Sequence, residues 1–326
     1  MKQSQFEQLH RPRWQQFEHL LERLESRRAS AEESEDFCRR YRHLCSQLAL
    51  AGERGYSHHL IDTLQHLAMR GHQQLYRHHS RVLASVLAFV LVQFPGQVRE
   101  QWRWVAGAAL VFVLSLMLTL GLVYHFPDLI YAIISPREVL EMEAMYDPGA
   151  TRFGPAAQRL SSTGLMMFGY YVMHNIGIAF QIFAGGLLLG LGSLYLLVSN
   201  GLSIGAVAGH LGQIGFNQTF WPFVIGHGAF ELTGLVLAGA AGLRLGGALL
   251  APGPLARSEA LRHSARKAMQ LVYGAVVLLL IAAFIEAYWS SITTLPASVK
   301  YAVGAGLWLL VLSYLSLAGR RRHAPE

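Results

Sequence analysis

A chain of 326 residues that is 52% hydrophobic and only 14% charged, with 32 glycines, is too apolar to be one ordinary soluble domain. Its charge is concentrated before residue 103, whereas Trp104 to Ala318 holds several apolar runs that want lipid as solvent, so the sequence reads as two materials in series. The formal net charge of +7 does not imply nucleic acid, because Lys and Arg alternate with Glu or flank apolar runs, a pattern suited to anionic lipid headgroups.

Residues 1–81 read as a cytoplasmic helical region. Apolar positions at helical spacing, such as Phe17, Leu20, Leu21 and Leu24 and later Leu60, Leu64 and Leu67, predict helices near 13–28, 32–50 and 56–79, with the turn at Ala51 to Gly55. The first twenty-odd residues lack the unbroken apolar core of a secretory signal, so the N-terminus is expected to stay where it is made. Cys38 and Cys45 have no second pair to complete a zinc site or a disulfide framework and read as reduced thiols. The doublets His58-His59 and His78-His79 repeat no ligand spacing and read as solvated helix faces.

Residues 82–102 read as an interfacial helix and linker. Val82 to Phe94 is apolar but too short to span, and Pro95-Gly96 is expected to stop it. A transmembrane domain is expected over 103–319, entered through Trp102 and Trp104 at headgroup depth. Its first span lies near 104–124, and a polar excursion follows from Pro127 to Ser162. Apolar character from Leu165 to Ser199 covers about 50 Å of helix, too much for one perpendicular crossing. The predicted spans are therefore near 176–199, 201–216, 221–243, 269–288 and 299–318, with Asn200-Gly201 as a tight turn and a re-entrant hairpin as the rival for 201–216. Six crossings put residues 1–102, the Arg244 to Lys267 segment and the basic tail 320–326 on one side, which predicts a bacterial inner-membrane protein with both termini cytoplasmic.

Small residues recur four apart, at Gly186 and Gly190, at Gly201, Gly205 and Gly209, and at Gly242 and Gly246. The pattern reads as close helix packing, which also makes a homo-oligomer plausible. Ionisable and amide side chains at membrane depth are few: His210, Gln213, His227, Glu231, Glu286 and Gln181 form the candidate intramembrane polar cluster. Counting up from the cytoplasmic end, His210, Gln213 and Glu231 fall roughly 14 to 18 Å deep and are expected to meet. His227, Asn217, Gln181 and Glu286 form a second tier roughly 24 to 27 Å deep. His227 and Glu231 share a helix face, and with His210 they are the candidate metal ligands. The pair lacks the second histidine of a zincin helix, so a structural His–carboxylate contact is the preferred reading. Gln181, Gln213 and Asn217 suit interhelical hydrogen bonds, and Arg244 suits a snorkelling position at a cytoplasmic helix end.

Three stretches carry a resemblance to the stage II sporulation protein M family of bacterial membrane proteins. They are Gln93-Phe-Pro-Gly-Gln-Val-Arg99; His174-Asn-Ile-Gly-Ile-Ala-Phe180 with Phe183-Ala-Gly-Gly186 and Asn200-Gly-Leu202; and His227-Gly228-Ala-Phe-Glu-Leu232 leading to Gly242-Leu-Arg-Leu245. The matching positions singled out are His174, Asn175, Asn200, Gly228 and Arg244; the family more often has paired asparagines at 174–175. The resemblance spans roughly residues 82–318 and implies an all-α membrane bundle. It also implies a scaffold that, in spore formers, gathers peptidoglycan-degrading enzymes, with a MoxR-type ATPase and envelope proteins as partners elsewhere.

With no nucleophile elbow, no P-loop and no complete metal signature, no catalytic residue and no cofactor is assigned. The leading expectation is a non-catalytic scaffold or anchor of a cell-envelope complex. A permease or lipid-translocating component with a polar path is the alternative, and an intramembrane metal-dependent hydrolase the second.

Overall fold

A computed structural model describes residues 2–26, 31–149 and 163–320, and it divides into two compact units, Met1–Ala88 and Phe89–Glu326. Among the described residues there are helices and no strands, the all-α architecture expected.

The first unit is three helices: α1 Gln3–Glu25, α2 Ala31–Glu53 and α3 His58–Ala88. Phe6, Trp14, Phe17, Leu20 and Leu21 fall on one face of α1. They bury one stripe against Phe37 and Leu44 of α2 and Leu60, Leu64 and Leu67 of α3. Inside this stripe the Trp14 indole N–H donates to Gln47 Oε1 at 2.6 Å, and at the rim Arg70 donates twice to Glu25, at 3.1 and 3.0 Å. Helix α1 starts ten residues before the sequence reading placed it and runs through Pro12, because burying Phe6 outweighs the hydrogen bond a proline removes. Side chains 76–82 lie outside the described residues, and with them the His78-His79 doublet.

The second unit opens with a π-helical turn, Phe89–Gln93, and α4 Phe94–Glu100, which has Pro95 in its first turn. Pro95 therefore starts a helix instead of stopping one. Phe94 and Val98 are buried in the bundle core, with the Phe94 ring filling the space where Gly274 lacks a side chain, while Leu83, Val86, Leu87, Leu91 and Val92 before them are exposed. There follow α5 Trp102–His125, a 3-10 turn Pro127–Ala132, α6 Pro136–Tyr146, α7 Thr163–Ala184, α8 Leu191–Gln213, α9 Asn217–Leu250, α10 Arg257–Ile285 and α11 Ala297–Leu317. Ser135 caps α6 in a box with Glu138. Residues 150–162 of the predicted polar loop and 321–326 of the basic tail lie outside the described residues.

Among the described residues, five helices are long and apolar enough to cross a membrane: Trp102–His125, Leu191–Gln213, Asn217–Leu250, Arg257–Ser290 and Ala297–Leu317. Helix α7, at 22 residues, has the length for a sixth crossing, about 33 Å, but carries His174, Asn175 and Gln181 along its course.

The apolar stretch 165–199 is divided elsewhere than expected. The chain breaks at a 3-10 turn, Gly185–Leu187, and at Gly190, whose φ of +83° caps α8, while Asn200 and Gly201 lie inside α8. Spans 176–199 and 201–216 are thus replaced by α7 and a full-length α8, and the re-entrant hairpin is excluded. Asn200 keeps to the helix because its Nδ2 donates to Leu196 O at 2.8 Å, and Gly201 serves packing. A side chain at Gly201, Gly205 or Gly209 would collide with α5 at Ser115, Leu116 and Leu120, so α8 lies backbone-close along α5. A second such seam joins Gly242 and Gly246 of α9 to Gly186 and Gly190, and beside it the Ser193 hydroxyl of α8 donates to Ile182 O of α7 at 2.5 Å. Helix α9 is the axis of the unit, packing on α5, α7, α8, α10 and α11.

Candidate functional site

The polar side chains that converge within the bundle do so around the first third of α9. His227 and Glu231, four apart, share the face turned toward the end of α10, where a π-helical turn, Glu286–Ser290, points Glu286 and Ser290 inward. Gly226 lets this turn approach, since a Cβ there would strike the Trp289 ring. His227 Nδ1 lies 2.9 Å from Ser290 Oγ, and its Nε2 faces Glu231 Oε2 at 3.8 Å. One ligand atom from each of His227, Glu231 and Glu286 fits within 4.8 Å of the other two. Lys300 of α11 donates from Nζ to Ser290 O at 2.8 Å and sits over the Trp289 ring. Apart from Glu231, whose side chain is 22% exposed, these groups are enclosed: His227 is 5% exposed, Glu286 9%, Lys300 3% and Ser290 0%.

Helix α6 closes the same region. Thr219 Oγ1 donates to Tyr146 O at 2.6 Å, and the Tyr146 ring stands edge-on to Phe220 and Phe223, with Phe223 in turn edge-on to His227. Burial first, and then the nearby Glu286, Tyr171 and Glu231, push the Tyr146 phenol well above its ordinary range. It is therefore a neutral O–H donor beside two carboxylates.

Of the six residues expected to cluster, the structure brings together His227, Glu231 and Glu286 and leaves the others apart. His210 is buried, yet its Nε2 meets Glu143 Oε1 of α6 at 2.7 Å, so it ties α6 to α8 instead of joining Glu231 at mid-depth. Depth counted along separate helices could not reveal this, because the partner sits on a helix outside the spans. Gln213 and Gln181 are exposed on the helix surface and do not join the cluster. Asn217 caps locally, its Nδ2 to Gly212 O and its Oδ1 accepting from Trp221. His174 is exposed and stacks on Tyr170, whereas its neighbour Asn175 is buried with an Nδ2 that has no partner among the described residues. Gly228 is buried against Val224. The metal candidates are corrected likewise: His227 and Glu231 stay, and Glu286 takes the place of His210.

Arg244 belongs to a second polar set, at the opposite end of α9 from His227. It is half-buried, and its charge adds to the Lys267 hydrogen bond that chiefly holds the Glu100 carboxyl below the usual carboxylate range. Lys267 Nζ donates to Glu100 Oε1 at 2.6 Å, Gln101 Nε2 to Lys267 O at 3.2 Å, and Arg99 Nη1 to Leu315 O at 3.0 Å, tying α4 to α10 and α11. Sequence reasoning missed Tyr146, Ser290, Lys300 and Glu143. Only Lys300, a lone lysine within the last apolar run, carried a signal that could have found it.

A helix-only unit with five spans of membrane length, joined by glycine seams and enclosing its ionisable groups, defines a multi-pass integral membrane protein. The family model for stage II sporulation protein M matches residues 83–291, and a model for a domain of unknown function matches residues 4–77. The chain belongs to the stage II sporulation protein M family. No curated protein and no solved structure is similar enough to count as a match.

Proposed function

We propose that the protein is a non-catalytic anchor in the bacterial inner membrane that holds a cell-envelope complex through its N-terminal helical unit. The observation that carries this reading is the enclosure of the intramembrane polar groups: they lie where α9, α10 and α11 touch, 9% exposed or less apart from Glu231, and the neighbouring helices meet at backbone distance. Such packing suits a rigid platform better than a hydrated path, which needs its polar side chains facing water. Family membership adds an envelope or sporulation setting, and the resemblance names a MoxR-type ATPase and envelope proteins as partners to test.

The test uses the full chain, tagged at its C-terminus and cross-linked in its own membranes. The expected result is stoichiometric capture of the ATPase or an envelope protein, with cross-links mapping to residues 2–75, while the purified chain in liposomes leaves ions and lipids where they were. Flux or lipid transfer that Glu231→Gln abolishes, with no cross-linked partner, would replace the anchor by a permease.

A further inference from the structure

We infer that His227, Glu231 and Glu286 form a binding site for one first-row divalent metal ion, pinning α9 to the π-helical end of α10. The inference goes beyond the anchoring role and does not rest on it. Three observations carry it, and the first is convergence. Side chains from two helices bring an imidazole nitrogen and two carboxylate oxygens within 4.8 Å of one another, so some point lies within about 2.8 Å of all three. First-row ions bind such atoms at about 2.0 to 2.2 Å, so closure asks for well under an ångström from each side chain.

The second observation is the orientation of the imidazole. Ser290 Oγ, itself fully buried, is 2.9 Å from Nδ1, whereas Nε2 stands 3.8 Å from Glu231 Oε2, beyond hydrogen-bond reach. A proton on Nε2 would draw the carboxylate onto it. With the proton on Nδ1, donated to Ser290, the Nε2 lone pair faces the two carboxylates. A metal-binding histidine is held in just this manner, its other nitrogen donating to a neighbouring oxygen.

The third observation concerns donors and charge. The three ligand atoms belong to basic groups, and the Lys300 ammonium is committed to the Ser290 carbonyl at 2.8 Å. An electrophile is what three converging bases accept. One imidazole with two carboxylates favours zinc, manganese, iron or cobalt over magnesium or calcium, which take oxygen alone. Tyr146, from α6, stands edge-on to Phe223, which in turn stands edge-on to His227.

The experiment titrates full-length protein in detergent, stripped with chelator, with Co(II), whose visible absorption intensifies severalfold in four- or five-coordinate sites. The expected result is a band that saturates at one equivalent, is displaced by Zn(II), and is lost in Glu286→Gln, a near-isosteric change. No such band in the wild type, or an undiminished one in Glu286→Gln, overturns the site. Nine of the 15 histidines precede residue 81, so the ion must also be located without relying on a variant that could fail to fold. Wild-type protein loaded with Fe(II) and treated with ascorbate and peroxide is cleaved beside the bound ion. Fragments ending near residues 227–231 and 286–290 are expected, and cleavage confined to residues 1–81 overturns the proposal.

Discussion

Glu100 is half exposed, yet its environment fixes its charge: the Lys267 ammonium donates to it at 2.6 Å, with Gln97 and the charge of Arg244 adding to the effect. A carboxyl whose pKa is lowered by folding binds fewer protons in the folded state. It therefore contributes stability above the unfolded carboxylate range, and that contribution is lost as pH falls through the lower folded value. The expected outcome is a melting temperature that falls more steeply between about pH 5 and pH 3 for wild type than for Glu100→Gln, measured on detergent-solubilised protein. Parallel curves would mean that the contact with Lys267 is solvent-screened to nothing. At this scale the sequence was informative where an ionisable group stood alone in an apolar run, as His227, Glu231 and Glu286 do. It was silent where the partner came from a polar helix. Nothing in Glu143 or Tyr146, inside an ordinary amphipathic stretch, marks them as caps on buried groups, because the contact is made across 67 residues to His210 and 73 to Thr219.

The pairing of His210 with Glu143 belongs to the element scale, since it is the polar tie between α6 and α8. His210→Ala removes the partner of a partly buried carboxylate and costs about 1 to 3 kcal/mol locally. Backbone hydrogen exchange across 136–146 should rise with little change in α9 and α10. Unchanged exchange would place the docking of α6 on Val139 and the Thr219 hydrogen bond to Tyr146 O. The seam between α5 and α8 makes a sharper claim. Gly205→Val forces a branched side chain against the Leu116 backbone and should destabilise the bundle by about 1 to 3 kcal/mol, read as a lowered melting temperature, while Gly107→Val, in open space, should not. Equal melting temperatures for the two variants would sink the seam. These glycines also explain where the sequence misled. A glycine after asparagine signals a turn only if its conformational freedom is used, and here Gly201 is spent on helix contact, while the turn falls on Gly185 to Gly190, ten to fifteen residues earlier. Spacing of four identified the packing glycines correctly because that signal depends on a helix face, which the sequence determines, and not on which end of the helix the chain leaves.

Over the whole molecule, the division into a charged helical unit and an apolar bundle was legible from composition, because solvent preference is a sum over many side chains and survives errors at each boundary. Topology is the remaining global property, and it follows from counting. Counting α7 with the five apolar helices predicts six crossings, which would end α11 on the side where α4 begins. Arg99, Arg103, Arg257, Arg262, Arg266, Lys267 and Arg320 then share one side, and α6 with Glu138, Glu141, Glu143 and Asp147 lies on the other. The positive-inside rule predicts a cytoplasmic location for the first side, and labelling tests it. The native chain carries its own reporter, since its two cysteines, Cys38 exposed and Cys45 partly so, both lie in the N-terminal unit. A membrane-impermeant maleimide should leave the wild-type chain unlabelled in intact spheroplasts and label it after lysis. In a Cys38→Ser, Cys45→Ser background, Ala144→Cys on the exposed face of α6 should show the reverse and react in intact cells. Labelling of both positions from the same side would mean that an odd number of helices separates neither from the other, and α5 would then lie along the membrane instead of crossing it. Labelling of the native cysteines alone from outside would invert the chain and put its helical unit, and whatever it holds, in the envelope.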